Sequence, residues 1–185
     1  MYSAGIMSES NQEKIAIFAG GCFWCIVAPF EVEDGVISVT AGYINGHKDD
    51  PTYKEVCTGE TGHAEAIKVI YQPEKISYEK LLEIFWRQID PTDEGGQFAD
   101  RGNQYRTGIY YTDENQKKLA QESKEQLSKE GPYKGEIIVT EIEPADRFYD
   151  AEDYHQGYHK TNTLQYYAYR NGSGRDQFLN NKWKK

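Results

Sequence analysis

Apolar positions first gather at residues 14–18 (KIAIF), a strand-length block closed by Ala19-Gly20-Gly21. Residues 22–31 then mix aliphatic and aromatic side chains with no turn former before Pro29. Block, glycines and longer apolar run together predict strand, turn and helix. Residues 36–43 (VISVTAGY) are rich in β-branched side chains, which favour a pleated backbone, and a loop over 44–52 follows with Gly46, His47, two aspartates and Pro51. Over 64–71, Glu65, Ile67, Val69 and Tyr71 alternate with Ala64, Ala66, Lys68 and Ile70, the period of a half-buried strand with one small face. Ser77 can cap a helix carrying Leu81, Leu82, Phe85, Trp86 and Ile89 at helical spacing, ended by Asp90-Pro91.

A long loop over 91–103 holds Gly95, Gly96 and Gly102, and loops of that length often carry function. A strand is predicted over 105–111. Thr112-Asp113 then opens a polar helix over 114–129, whose inward stripe is Leu119, Ala120, Ser123 and Leu127, and Gly131-Pro132 ends it. Residues 137–142 (IIVTEI) read as a further strand and residues 151–160 as a helical turn or short helix. Residues 1–13 show neither period and are expected to be a loose leader. Beyond Tyr169 the composition turns to Arg, Asn, Gly and Ser, so residues 171–185 are expected to be a coil-rich tail. Residues 14–170 remain as one domain of interleaved strands and helices, an α+β sandwich or a small α/β fold.

Composition narrows the class. The 185 residues are 38% hydrophobic and 14% aromatic, enough for a packed core in one domain. Lys and Arg number 21 against 30 Asp and Glu, a formal charge of −9, so the basic field that holds nucleic acid or anionic lipid is missing. No apolar stretch reaches the roughly 18–20 residues of a membrane helix, and no apolar segment follows a basic start as in a secretory signal. A soluble, cytoplasmic protein is expected. Three cysteines are too few for a secreted disulfide framework, which directs attention to reactive sulfur.

In Gly20-Gly21-Cys22-Phe23-Trp24-Cys25 the glycines let the chain leave a strand sharply, placing Cys22 at the N-terminus of the next helix. Free N–H groups and the positive end of the helix dipole there stabilise a thiolate, so Cys22 is the candidate nucleophile. Cys25 follows one turn later, where the two sulfurs can meet. Both cysteines can equally be core residues. Zinc would need a second pair of ligands near Cys57, and none is present, so no metal is expected. Cys57 reads as a small core residue. Glu65 sits in a half-apolar strand: facing outward it is solvated, facing inward its raised pKa makes it a proton donor near neutrality. Tyr53 and Tyr105 are either core or rim residues or hydrogen-bond donors to a polar ligand atom, and Asp100 is either a turn residue or a pocket carboxylate. His63 makes no pair with Glu65 that spacing requires. His47, His155 and His159 read as surface or structural residues.

The stretches GCFWC (21–25), PTYKEVC (51–57), TGHAEA (61–66), GGQFADRGNQYR (95–106) and AEDYHQ (151–156) together resemble the A-type peptide methionine sulfoxide reductases, in family order and over most of residues 14–170. The resemblance implies a two-layer α+β sandwich around a ferredoxin-like core. It implies reduction of methionine S-sulfoxide, free or in oxidised proteins, with Cys22 attacking sulfur, Glu65 supplying a proton, and Tyr53 and Tyr105 holding the sulfoxide oxygen. Phe23 and Trp24 would enclose the methyl group, and Asp100 matches a pocket position without an assigned step. The oxygen would remain on Cys22 as a sulfenic acid until a second thiol condenses with it and an external dithiol such as thioredoxin restores the enzyme, with no metal or organic cofactor. The sequence departs from one family pattern, in which glycine follows the tryptophan and recycling cysteines lie in the C-terminal tail. Residues 170–185 contain no cysteine. The resolving role is therefore expected of Cys25 through a Cys22–Cys25 disulfide, with Cys57 or an external thiol as lesser options. A thioredoxin-like dithiol oxidoreductase and an aromatic-rich binding module are the competing readings.

Overall fold

A computed structural model describes residues 12–184, so the expected leader lies outside the described residues except for Gln12 and Glu13. Strand β1 (Lys14–Gly20) leads to helix α1 (Phe23–Glu31), followed by β2 (Val36–Ile44), the single-turn α2 (Tyr53–Val56), β3 (Ala64–Tyr71) and α3 (Tyr78–Trp86). A small ribbon of β4 (Gly96–Gln97) and β5 (Asp100–Arg101) precedes β6 (Thr107–Tyr111) and α4 (Glu114–Lys129). The chain ends with β7 (Glu141–Pro144), β8 (Tyr149–Asp150), α5 (Tyr158–Thr161), α6 (Thr163–Gly172) and α7 (Arg175–Lys182).

The main sheet has the order β7-β6-β1-β3-β2-β8. β3 lies antiparallel to both β1 and β2, and β6 lies antiparallel to β1. β1-α1-β2 and β3-α3-β6 are therefore two split βαβ units, each skipping over one strand of the other, which is the ferredoxin-like plan inside an α+β sandwich. Strand alternation separates two apolar layers. Ala16, Phe18, Ile67 and Val69 face the helices and join the large core, while Ile17, Ala19, Ala64 and Ala66 face the opposite side. Phe18 centres the helical layer, its ring 5.4 Å from Phe30 and 5.0 Å from Phe85. A side chain so enclosed contributes roughly 1.5–3 kcal/mol. The small face is itself covered, by Ala145 and Phe148, so β3 is buried on both sides and small residues are needed there.

Helix α3 starts as expected: Lys80 N–H donates to Ser77 Oγ (3.1 Å). Three expectations need correction. The strand expected over 105–111 begins at Thr107, because Asn103–Tyr105 forms a 3-10 turn. The strand expected over 137–142 pairs only from Glu141. Upstream of it, Val139 N–H donates to Pro91 O (2.8 Å), which ties that segment to a loop instead of the sheet. The coil-rich tail expected over 171–185 is instead helical, the end of α6 followed by α7. Helix α7 is held by Leu179 and by Arg175, which is 1% exposed and donates to the carbonyls of Gly20 (3.0 Å) and Gln88 (2.6 Å). A polar composition concealed an arginine that folds inward. Among the described residues no helix is long and apolar enough to cross a membrane.

Candidate active site

The Gly20-Gly21 turn fixes where the first helix begins. Gly21 has φ +80°, and a Cβ there would stand 2.6 Å from Cβ of Gln97. Gln97 is fully buried; its Oε1 accepts from Asp90 N–H (2.8 Å) and its Nε2 donates to Asp90 O (2.7 Å), so the loop after α3 is locked against the turn. Cys22 becomes the N-cap of α1, 5% exposed, and its carbonyl accepts from Cys25 N–H (3.1 Å). The register Phe18↔Ile67, carried two residues further, sets Glu65 level with Gly20. Glu65 lies inward, 1% exposed, on the helical side of β3, and its Oε2 accepts from Phe23 N–H (3.1 Å). One N–H left free at a helix start is thus satisfied by a strand carboxyl.

Burial pushes the Glu65 pKa up to about 8, against the Phe23 hydrogen bond and with help from Asp100 and Cys25, so the group carries its proton at neutral pH. The thiolate expected at Cys22 is corrected. Burial, together with the Cys25 sulfur, Glu65 and Asp100, pushes the Cys22 thiol well above its ordinary range, outweighing the helix terminus. Cys25 moves the other way, to about 7, because the Cys22 thiol donates to it and the Arg175 and Arg170 guanidinia stand nearby, in opposition to burial. All three cysteines are free.

Tyr53 opens α2 and Tyr105 closes the 3-10 turn before β6. Burial, then the Glu65 charge, pushes both phenols up, so both keep their hydroxyl protons. Cys57 is exposed, not the core residue its apolar neighbours suggested. Helix α2 ends at Val56 and leaves Cys57 outside the core. Glu152 aligns Tyr53 by accepting from its N–H (3.0 Å) and from the Tyr43 hydroxyl (2.9 Å). Phe23 is buried between Tyr43, Tyr53 and His155, with ring centroids 5.9, 6.4 and 5.0 Å away. Trp24 is partly exposed, stacks on Tyr158 at 3.9 Å and donates from Nε1 to His155 Nδ1 (3.0 Å). Asp100, in β5, accepts from the Tyr169 hydroxyl. Its charge pushes the pKa values of Cys22, Cys25 and Glu65 upward.

The fold therefore gathers Cys22, Phe23, Trp24, Cys25, Tyr53, Glu65, Asp100 and Tyr105 into one region. Sequence reasoning missed Glu152, His155, Tyr169 and the two arginines. His155 lies in the quoted AEDYHQ stretch, and His159, one turn later, pairs with Glu31 (3.1 Å). His63 is committed to the loop after β2, accepting from Gly46 N–H (3.0 Å) and bonding Lys48 O (2.7 Å). Among the described residues no group of three or more His, Cys, Asp or Glu could hold a metal ion.

This arrangement offers a nucleophilic sulfur, a neutral carboxylic acid, two phenol donors and an aromatic wall to an apolar substrate with one basic oxygen. Comparison with known proteins gives the same direction. The family model "Peptide methionine sulfoxide reductase" matches residues 14–185. "Peptide methionine sulfoxide reductase MsrA" of Bacillus licheniformis is 51% identical over 174 residues, covering 94% of this chain and 96% of that protein. The crystal structure of reduced Mxr1 from Saccharomyces cerevisiae superposes with a TM-score of 0.77 at 36% identity, covering 84% of this chain and 88% of that one. Mxr1 in complex with Trx2 gives a TM-score of 0.57 at 27% identity, covering 83% and 90%. With half its residues shared along nearly the whole of a relative, and a cysteine and acid brought together as that chemistry requires, the chain belongs to the A-type peptide methionine sulfoxide reductases.

Proposed function

We propose that this chain reduces methionine S-sulfoxide, free or within oxidised proteins, through Cys22 and Glu65. The carrying observation is the hydrogen bond between Glu65 and the N–H of the residue after Cys22, in a setting that keeps the carboxyl protonated. The substrate oxygen lies between the Tyr53 and Tyr105 hydroxyls and takes the Glu65 proton, which makes its sulfur electrophilic. Cys22 attacks that sulfur, the oxygen passes to Cys22 as a sulfenic acid, and methionine leaves. The thiol proton of Cys22 is returned to Glu65, so the carboxyl begins and ends neutral. Trp24 and Phe23 form the apolar wall for the methyl group and so distinguish the epimers. Asp100 holds the Tyr169 side of the pocket.

Cys25 then resolves the sulfenic acid. The two cysteines supply both electrons, so no metal or organic cofactor enters the cycle. A thioredoxin-type dithiol regenerates the thiols, a reading supported by the complex that yeast Mxr1 forms with Trx2. Free cysteines suit a reducing compartment, the cytoplasm. Reduced protein mixed with separated sulfoxide epimers, without reductant, is expected to yield about one methionine per chain from the S epimer and none from the R epimer. Cys22→Ser is expected to yield none while keeping its circular dichroism. Product from Cys22→Ser overturns the assignment.

A further inference from the structure

The C-terminal helices bring two arginines to the cysteine pair. Arg175 is 1% exposed and its guanidinium is spent on neutral groups: the carbonyls of Gly20 (3.0 Å) and Gln88 (2.6 Å), with its carbon 4.7 Å above the Phe98 ring. Its Nε has no hydrogen-bond partner, and among the described residues it has no salt bridge. A buried cation without an opposing charge is costly to the fold. Arg170 donates to the Cys25 carbonyl, to Gln88 Oε1 (3.1 Å) and to Asp176 (2.6 Å). Both guanidinia act on the Cys25 sulfur. The other titratable groups around that sulfur are Cys22, Glu65, Asp100, Tyr166 and Tyr169, none of them a cation.

We infer that Arg170 and Arg175 are positioning residues for the second half of the cycle: they hold the Cys25 turn and supply the positive charge that lets Cys25 attack oxidised Cys22 as a thiolate. The inference rests on the reading of Cys25 as the resolving thiol. In the step, the Cys25 thiolate attacks the Cys22 sulfur, an S–S bond forms, the S–O bond breaks, and hydroxide leaves as water with one proton. The oxidising equivalents are those already taken from the sulfoxide. A chain without cysteines in its C-terminal segment thus uses that segment to activate the thiol it has.

The test follows Cys25 directly. In a Cys22→Ser background the titration of Cys25, which is 0% exposed and so shielded from alkylating reagents, is followed by the NMR shift of its isotope-labelled Cβ as a function of pH. Arg170→Gln is expected to move the midpoint up. Asp176→Asn, which frees Arg170 from its exposed carboxylate partner, is expected to move it down. With Cys22 intact, one equivalent of sulfoxide is added and the ratio of dimedone-trapped sulfenic acid to Cys22–Cys25 disulfide is measured, a ratio independent of how fast sulfoxide is consumed. At pH below the midpoint, each unit of upward shift lowers thiolate about tenfold but raises its intrinsic nucleophilicity, leaving disulfide formation about threefold slower. Shifts in the same direction for both variants, or none, reduce the arginines to structural supports. A parent protein that finishes the turnover without the Cys22–Cys25 disulfide instead removes the resolving role of Cys25, and the inference with it.

Discussion

Glu65 decides the chemistry at the scale of single residues. Below about pH 8 its carboxyl is neutral and able to give a proton, and above that it becomes an anion facing an attacking sulfur. The single-turnover rate of methionine formation is therefore expected to hold through neutrality, as far as Glu65 governs it, and to fall as pH passes about 8. Glu65→Gln, which keeps the shape and loses the acid, should be slower by 10²-fold or more at pH 7, with the gap narrowing above pH 8. Rapid-quench measurement across that range checks both. The carboxyl was legible in the sequence as an anomaly in a half-apolar strand, and Cys22 as a cysteine after a glycine turn. The protonation state of Cys22 was not, because it depends first on burial and then on charges such as Glu65 and Asp100 that arrive from separate elements.

At the scale of elements, the turn between β1 and α1 sets the geometry. Gly21→Ala meets a left-handed backbone and places its Cβ 2.6 Å from Gln97 Cβ and 2.9 Å from an Arg175 nitrogen. A loss of about 2 kcal/mol or more in urea unfolding is expected, together with loss of turnover, since Cys22 is the next residue. Ser77→Ala removes only the α3 cap and should cost about 1 kcal/mol with turnover retained. Most elements could be read from periodicity because the sheet buries one large and one small face. β7 was misplaced because its apolar upstream residues bind a loop, and α2 escaped notice because a four-residue helix has no period to read.

At the scale of the whole molecule, the C-terminal segment closes over the turn between β1 and α1. Removing residues 175–185 deletes the bonds from Arg175 to Gly20 and Gln88, and should cost about 2–5 kcal/mol of stability, measurable by urea unfolding. Stability also depends on pH through Glu65. Its folded pKa lies above the unfolded value, so its contribution is complete below about pH 4.3 and is lost as pH rises through about 8. The fall in melting temperature between pH 6 and pH 9 should be smaller in Glu65→Gln than in the parent. These long-range closures had no local pattern, which is why composition alone suggested a tail. One of them bears on acid. Trp24 gives its indole proton to Nδ1 of His155, 131 positions along the chain, so the neutral ring carries its own proton on Nε2. Burial already holds that imidazole below its usual pKa. A second proton has to enter at Nδ1, where it would oppose the indole N–H donor to donor. Acidification is therefore a latch release at the pocket wall, and a nitrogen–proton correlation spectrum should record it as movement of one tryptophan side-chain resonance while those of Trp86 and Trp183 stay in place.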